Sequence, residues 1–423
     1  MASVLLGIAV ATWEVFLATW WFVLPIIFMG VFWELWLYYI ESYAAAKIKW
    51  LLLRVRVPRE LLRVPSAMEQ VYAALYGTYS FGITPWDKYW NGVVETVTTF
   101  EMVGDASGIY FYIRIKNDFR NLIESAIYAQ YPQAEIEAVP DYMDDLPEVL
   151  PNDFLDIFGA DYALAKDSAY PIRTWPEFFE AKNDEERIDP IASLVEVMSK
   201  LKGGERMFVQ LFLRAKGDDW KKQAEKERDK LLGRKAKKEV GFLDYVFAAI
   251  NNLFVILVGG EPEWPEDKKE EKPALTSLTK GEQDVARSIE DKVSKLGFEM
   301  FVRFAFMDNK SSFSRSNISA VASFFNQFAT LNKNSFRPMR MTAVLGHWAV
   351  KWIGKSAKGF AKKRLFWDDF KFRNFAEKTS FMNIEELATI YHYPTILVES
   401  PSLRPVEFKK GAPPSNLPLE DLE

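Results

Sequence analysis

The chain has 423 residues, 49% of them hydrophobic and 26% charged, with a net charge of −5. That balance favours packed cores over disorder and argues against a generic nucleic-acid coat, while leaving room for local basic patches. No cysteine is present, which excludes disulfides, zinc ribbons, iron–sulfur sites and thiol catalysis; the two histidines, His347 and His392, lie far apart without metal-ligand spacing.

The first element is an apolar helix. Residues 15–33 (VFLATWWFVLPIIFMGVFW) carry no charge and as a helix reach about 28 Å, close to the hydrocarbon thickness of a bilayer. Trp13, Trp20, Trp21, Trp33 and Trp36 crowd this stretch, and such rings favour the headgroup level. Pro25 is expected to kink the helix, which membrane spans tolerate. No Lys or Arg precedes it, whereas Lys47, Lys49, Arg54, Arg56, Arg59 and Arg63 follow. The positive-inside rule therefore predicts a single-pass protein of the cell membrane, anchored by residues 1–46, with its bulk in the cytoplasm. Two short spans within residues 2–40 are the alternative, though no turn signal divides them. A signal peptide ending near Ala44–Ala46 is another, but the apolar region is long for one and lacks a basic n-region.

Beyond the anchor the periodicity changes. Residues 48–57 alternate as a strand, Ser66 to Tyr76 read as a helix, and 93–103 and 109–115 read as a hairpin around Gly104–Gly108. A helix with Phe119, Leu122, Ile123, Ala126 and Ile127 at helical spacing follows, then a short strand over 134–139. This β-α-β-β-α-β order is the ferredoxin-like pattern, assigned to residues 47–142. Residues 143–156 read as an acidic linker. A second unit, 157–331, roughly repeats the order: strands over 161–173, Met207–Leu213 and 298–306, and helices over 189–201, from Asp218, from a Thr279/Glu282 capping box, and over Ser312–Leu331. The expected fold class is thus α+β, a transmembrane helix followed by two ferredoxin-like units that a duplication would relate. An amphipathic insertion at 233–275 holds the apolar run 242–258, readable as an interfacial helix or as a helix buried on the second domain. Residues 332–409 form a basic, helical C-terminal region, and 410–423 a Pro-rich tail.

No catalytic constellation emerges. Gly354-Lys355-Ser356 lacks the preceding glycine of a phosphate-binding loop, because position 349 is Ala349. The acidic pairs accompany no candidate nucleophile and read as solvated. A non-enzyme with no cofactor is expected. Tyr110, Tyr112 and Arg114 share one strand face, as base-stacking aromatics do in RNA-binding sheets. With Lys355, Lys358, Lys362, Lys363 and Arg364 of the basic segment 351–373, they are the candidate interface or polyanion contact.

Six stretches, in order, look familiar: LLLRVRVPRELLRVPSAMEQVYAALYG (51–77), ESAIYAQYPQAEIEAV (124–139), ERMFVQLFLR (205–214), KLGFEMFVRFAF (295–306), MNIEELATIYHYPT (382–395) and KGAPPSNLP (410–418). Together they resemble the membrane-anchored N-terminal module found with HerA/FtsK-superfamily ATPases of bacterial conjugation and type IV secretion-like systems. In such relatives the Asn-x-Glu-Glu-Leu-Ala and Pro-Pro-x-x-Leu-Pro stretches lead toward the motor. The resemblance implies partner-docking positions at Asn383, Glu385, Glu386, Pro413, Pro414, Leu417 and Pro418. With no ATPase domain in the sequence, it implies a homo-oligomeric scaffold for a separately encoded ATPase, or a remnant of one. The competing expectation is a membrane-associated nucleic-acid-binding protein.

Overall fold

A computed structural model describes residues 2–58, 64–79, 83–179, 188–232, 248, 252, 279–343, 355–395 and 397–398. The helices are α1 (Ala2–Ala46), α2 (Ser66–Leu75), α3 (Pro85–Tyr89), α4 (Arg120–Gln130), α5 (Pro176–Phe179), α6 (Ala192–Ser199), α7 (Asp219–Leu231), α8 (Lys280–Val293), α9 (Arg315–Asn326), α10 (Lys355–Lys371) and α11 (Ile384–Ile390). The strands are β1 (Trp50–Arg56), β2 (Val97–Asp105), β3 (Gly108–Lys116), β4 (Glu135–Val139), β5 (Leu155–Leu164), β6 (Arg206–Ala215), β7 (Gly297–Asn309), β8 (Phe336–Met341) and β9 (Ser380–Asn383). The described residues fall into two compact units, one within Met1–Trp50 and Tyr79–Thr96, the other within Leu51–Thr78 and Val97–Glu423.

The first unit is built on α1, which continues through Pro25. Its stretch Leu17–Ala46 is long and apolar enough to cross a membrane, and only 6% of its most apolar window is buried. Large side chains stand exposed along it: Trp21 65%, Phe28 64%, Met29 66% and Leu35 63%. Residues 83–96 pack on its C-terminal part. The Trp36 indole donates to the Tyr89 carbonyl at 3.0 Å, and Trp33 meets the rings of Tyr89 and Trp90. Gly92, at φ +64°, lies so near the Ile40 carbonyl that a Cβ would fall 2.3 Å from it.

The second unit is an α+β body around one antiparallel sheet. Its strands run in the order β4-β1-β3-β2-β6-β7-β5-β8, with β9 also paired to β7. Strand β2 pairs β6 from Val97↔Arg214 to Gly104↔Met207, which makes the sheet continuous across its middle. One face is apolar: Phe100, Met102, Phe111, Ile113, Leu211, Val302 and Phe304 are buried on it. Helices cover it, as the contacts of Tyr72 with Phe100 and of Tyr162 with Phe325 show. The other face is overlaid by α10 and residues 143–150. Phe366, Trp367 and Phe370 of α10 join Met143, Leu146, Leu150, Phe208 and Met307 in one cluster. Gly159 permits this approach, since a Cβ there would fall 1.9 Å from the Phe366 ring.

Several elements lie where the periodicity predicts, and the Thr279/Glu282 capping box is present on α8. Others shift. The strand expected at 161–173 is β5, Leu155–Leu164, and part of the stretch read as an acidic linker is core: Met143, Leu146 and Leu150 are buried. The strand expected from residue 93 begins at Val97. The apolar run 242–258 and the tail 410–423 lie outside the described residues, residues 248 and 252 apart.

Candidate functional site

Register alone builds a polar row across the face beneath α10. Tyr112 stands opposite Glu101, Glu101 opposite Gln210, Gln210 opposite Arg303, Arg303 opposite Asp161 and Asp161 opposite Arg340. Cross-strand partners share a face, so these groups form one line from β3 to β8. Unpaired charges there would be costly, because low-dielectric surroundings penalise them heavily.

Each charge in the row has an oppositely charged partner. The Arg303 guanidinium donates to both Asp161 oxygens, at 2.7 and 3.2 Å, and to the carbonyls of Asp369 and Asn374 at 2.7 and 3.0 Å. Arg340 pairs with the Asp369 carboxylate. Arg373, just past α10, donates to both Glu101 oxygens at 2.6 and 3.1 Å and to both Asp141 oxygens at 2.7 and 2.9 Å. Its backbone holds φ 53°, a left-handed conformation uncommon outside glycine and asparagine. Thr99 and Tyr142 also donate to Glu101. Burial pushes the Glu101 carboxyl up, but the Arg373 charge and these hydrogen bonds outweigh it and hold the group below its usual range. Asp141 is likewise lowered, Arg373 overcoming its burial. The row and its overlying partners thus fix α10 and the turn after it to the sheet.

Two further buried clusters sit away from this row. Lys292 and Glu386, both fully buried, pair at 3.0 Å; Glu386 also accepts from the Ile172 and Asn383 amides. Burial pulls the Lys292 amine down despite the carboxylate beside it. His392 places Nε2 2.8 Å from Asp189 and Nδ1 2.7 Å from the Ala388 carbonyl. Both ring nitrogens therefore face oxygen acceptors. Asp189 further accepts from the Thr395 amide and hydroxyl. Burial raises its carboxyl, and His392 with these bonds outweighs that and lowers it.

The sequence-predicted residues separate on this map. Tyr112 is buried, tilted over Tyr142 at 5.2 Å, and Tyr110 stacks beside it at 6.3 Å and is half-buried. Arg114 is half-buried; burial and the nearby Arg373 charge lower it to about 10. Lys355 opens α10. Lys363 is tied to Asp156 at 2.6 Å, and Arg364 lies over the Phe360 ring at 5.4 Å. Lys358 and Lys362 are exposed. Asn383 and Glu386 form a buried capping box on α11, and half-buried Glu385 pairs with Lys295. Trp13, Trp20, Trp21, Pro25 and Trp33 are exposed on α1, and Trp36 is half-buried. Pro413, Pro414, Leu417, Pro418 and His347 lie outside the described residues.

The outer side of α10 has a different character. Lys358, Lys362 and Leu365 recur at helical spacing, and Phe372 follows in the turn past the helix end. Leu365 is 62% exposed, Phe372 70% and nearby Phe360 49%. A cation–apolar stripe therefore faces outward while the inner side of the same helix is locked to the sheet. A cleft of about 420 Å³ at one end of the sheet is lined by Asp105, Asp145, Glu205, Arg206 and Met307 among others. Its Asp105 and Glu205 carboxylates already accept from Ser107, Gly108, Lys202 and Asn317. Among the described residues, no His, Asp and Glu cluster is arranged to hold a metal ion.

These features define a class: an α+β sheet body in a chain that also carries a helix long and apolar enough to cross a membrane. The chain belongs to the family described as a domain of unknown function, DUF8128, whose model matches residues 43–403. No curated protein matches it.

Proposed function

We propose that this chain is a non-catalytic scaffold of the cell membrane, held by a single span within Leu17–Ala46 with its body in the cytoplasm, that docks a partner through the outer face of α10. The carrying observation is the division of α10. Its inner side is fixed by Phe366, Trp367, Phe370 and the Arg303 and Arg373 networks, while its outer side presents Lys358, Lys362 and Leu365, with Phe372 exposed just past its end. A rigidly backed stripe of this kind suits an acidic, partly apolar partner surface. The buried ionisable groups serve to join elements distant in sequence, which also supports a scaffold.

The partner expected from the resemblance is a HerA/FtsK-type ATPase of a conjugation or type IV secretion-like system, engaged by a homo-oligomer of this chain. Two ferredoxin-like units are the fold reading that goes with it. The order β4-β1-β3-β2 and its counterpart β8-β5-β7-β6 place first, second, third and fourth strands alike in both halves, which supports a duplication joined at β2 and β6.

The test is co-purification from detergent-solubilised membranes with the wild-type chain and with the double variant Leu365→Glu, Phe372→Glu. Both positions are exposed, so the fold is expected to survive. Capture of an ATPase that falls at least about tenfold in the variant, as for loss of interface anchors worth 1–2 kcal/mol or more, supports the reading. A solitary monomer, or equal capture by both chains, sinks it. The exposed Lys358 and Lys362 favour one second reading, polyanion binding; it requires steeply salt-dependent DNA or RNA binding, lost on replacing both lysines.

A further inference from the structure

We infer that residues 83–94 form a second membrane-contacting element, an aromatic strip seated in the lipid interface beside α1. This rests on the reading that α1 spans the bilayer. Sequence periodicity assigns these residues no such role, and their contacts do. The short helix α3 is capped by Thr84, whose side chain accepts from the Asp87 amide. The Asp87 carboxylate in turn takes the Thr84 hydroxyl and the Asn91 amide at 2.6 and 2.9 Å. This fixed turn presents Trp86 and Trp90 stacked at 5.0 Å and 13°. They are 62% and 51% exposed, and Val93 and Val94 beside them 42% each. Four large apolar side chains in nine residues are thus held outward by a braced loop.

Their level along α1 identifies the occupant as lipid. The strip touches α1 from Trp33 to Ile40, eight residues spanning about 10 Å of helix. Trp33 ends the uncharged stretch and Glu34 follows it, so this interval begins where the hydrocarbon core would end. The headgroup layer on each side is roughly 5–8 Å thick, and Trp and Tyr concentrate there because one end of the ring is apolar and the other polar. Tyr38 and Tyr39 on α1 are exposed over the same interval, and Lys88 lies by the Tyr89 ring, placing a cation where anionic headgroups would be. Gly92 sets the fit, because any side chain there would meet the Ile40 carbonyl.

The absence of cysteine makes the test direct. Single cysteines replace Val93, Val94, Ile27 and Lys222 in the full chain and carry a nitroxide label. The proteins are reconstituted in phosphatidylcholine–phosphatidylglycerol vesicles, and collision rates with oxygen and with a water-soluble nickel chelate are compared. Relative to the label at Lys222, those at Val93 and Val94 are expected to show an oxygen-to-nickel ratio raised roughly threefold or more, below that at Ile27. If Ile27 is lipid-exposed while Val93 and Val94 match Lys222, the strip is not interfacial and the span stands. If Ile27 itself matches Lys222, the span reading fails. Labels at Val93 and Val94 shielded from both colliders show that protein covers the strip and overturn the inference. Adding Gly92→Ala should move the Val93 label toward water and leave Ile27 unchanged; an unmoved Val93 label contradicts the seating on α1.

Discussion

The two units solve opposite solvation problems. The first turns Trp21, Phe28, Met29 and Leu35 outward, whereas the second draws Glu101, Asp161, Arg303, Lys292 and Glu386 inward. In water the first arrangement leaves a long apolar surface unmatched, and in lipid the burial term that drives folding vanishes between helix and solvent. The second is stable because these buried charges meet opposite ones, with hydrogen bonds left over to satisfy their other atoms. A chain that carries both offers two regions that perturbations should separate cleanly.

The sharpest separation comes from Ile26→Asp with Ile27→Asp. Each aspartate near the centre of a span costs about 2.5–3.5 kcal/mol of insertion, so the protein should leave the membrane fraction almost completely. Near-ultraviolet circular dichroism of the body's aromatic core should be unchanged; its loss would mean that the two regions are not separable. Next in size is Arg373→Met, which strands Glu101 and Asp141 without their cation. Removing one partner of a buried pair typically costs about 3–5 kcal/mol, measured as a drop in the urea midpoint. A midpoint within error of wild type would show that Arg373 does not hold the turn after α10.

A smaller contrast compares one motif in two settings. Asn383/Glu386 and Thr279/Glu282 are both capping boxes, but Glu386 is buried against Lys292 and Glu282 faces water. Glu386→Ala should destabilise far more than Glu282→Ala in the same denaturation assay, since it also leaves an unpaired buried ammonium. Equal effects would contradict the buried pair. The mildest perturbation is pH. Glu101, Asp141 and Asp189 are held below their ordinary values of 4.5, 3.8 and 3.8. Their stabilisation is therefore complete above those values and is lost as pH falls through the lower folded ones. Tyr72, Tyr142, Tyr391 and Tyr393 are raised well above 10.0 by burial, so their contribution holds below that pH and fades above it. Thermal melts should thus plateau between these limits; a maximum confined to one end would break the assignment.

How much of this was legible in the sequence depends on distance along the chain. Strict alternation made β3 readable, and α4 and α8 followed from helical spacing and caps. β8 and β9 escaped because they are short, and β8 contains Pro338, which cannot donate to a ladder. The basic segment was visible, but its second role was not: Phe366, Trp367 and Phe370 look like ordinary apolar residues until a sheet face is found for them. The buried pairs join positions 272 apart for Arg373 and Glu101 and 142 apart for Arg303 and Asp161, so no local pattern could match them. One signal was present. Glu101 interrupts the apolar run 100–103 and Arg303 the apolar run 300–307, and charges of opposite sign in such places call for buried partners.

The membrane role is tested most directly by floating the intact wild-type chain with phosphatidylcholine–phosphatidylglycerol vesicles through a density gradient after alkaline carbonate and high-salt washes. A chain anchored by Leu17–Ala46 rises with the lipid and is released only by detergent. A chain that stays at the bottom of the gradient as a soluble, well-folded species contradicts the anchor and the scaffold built on it.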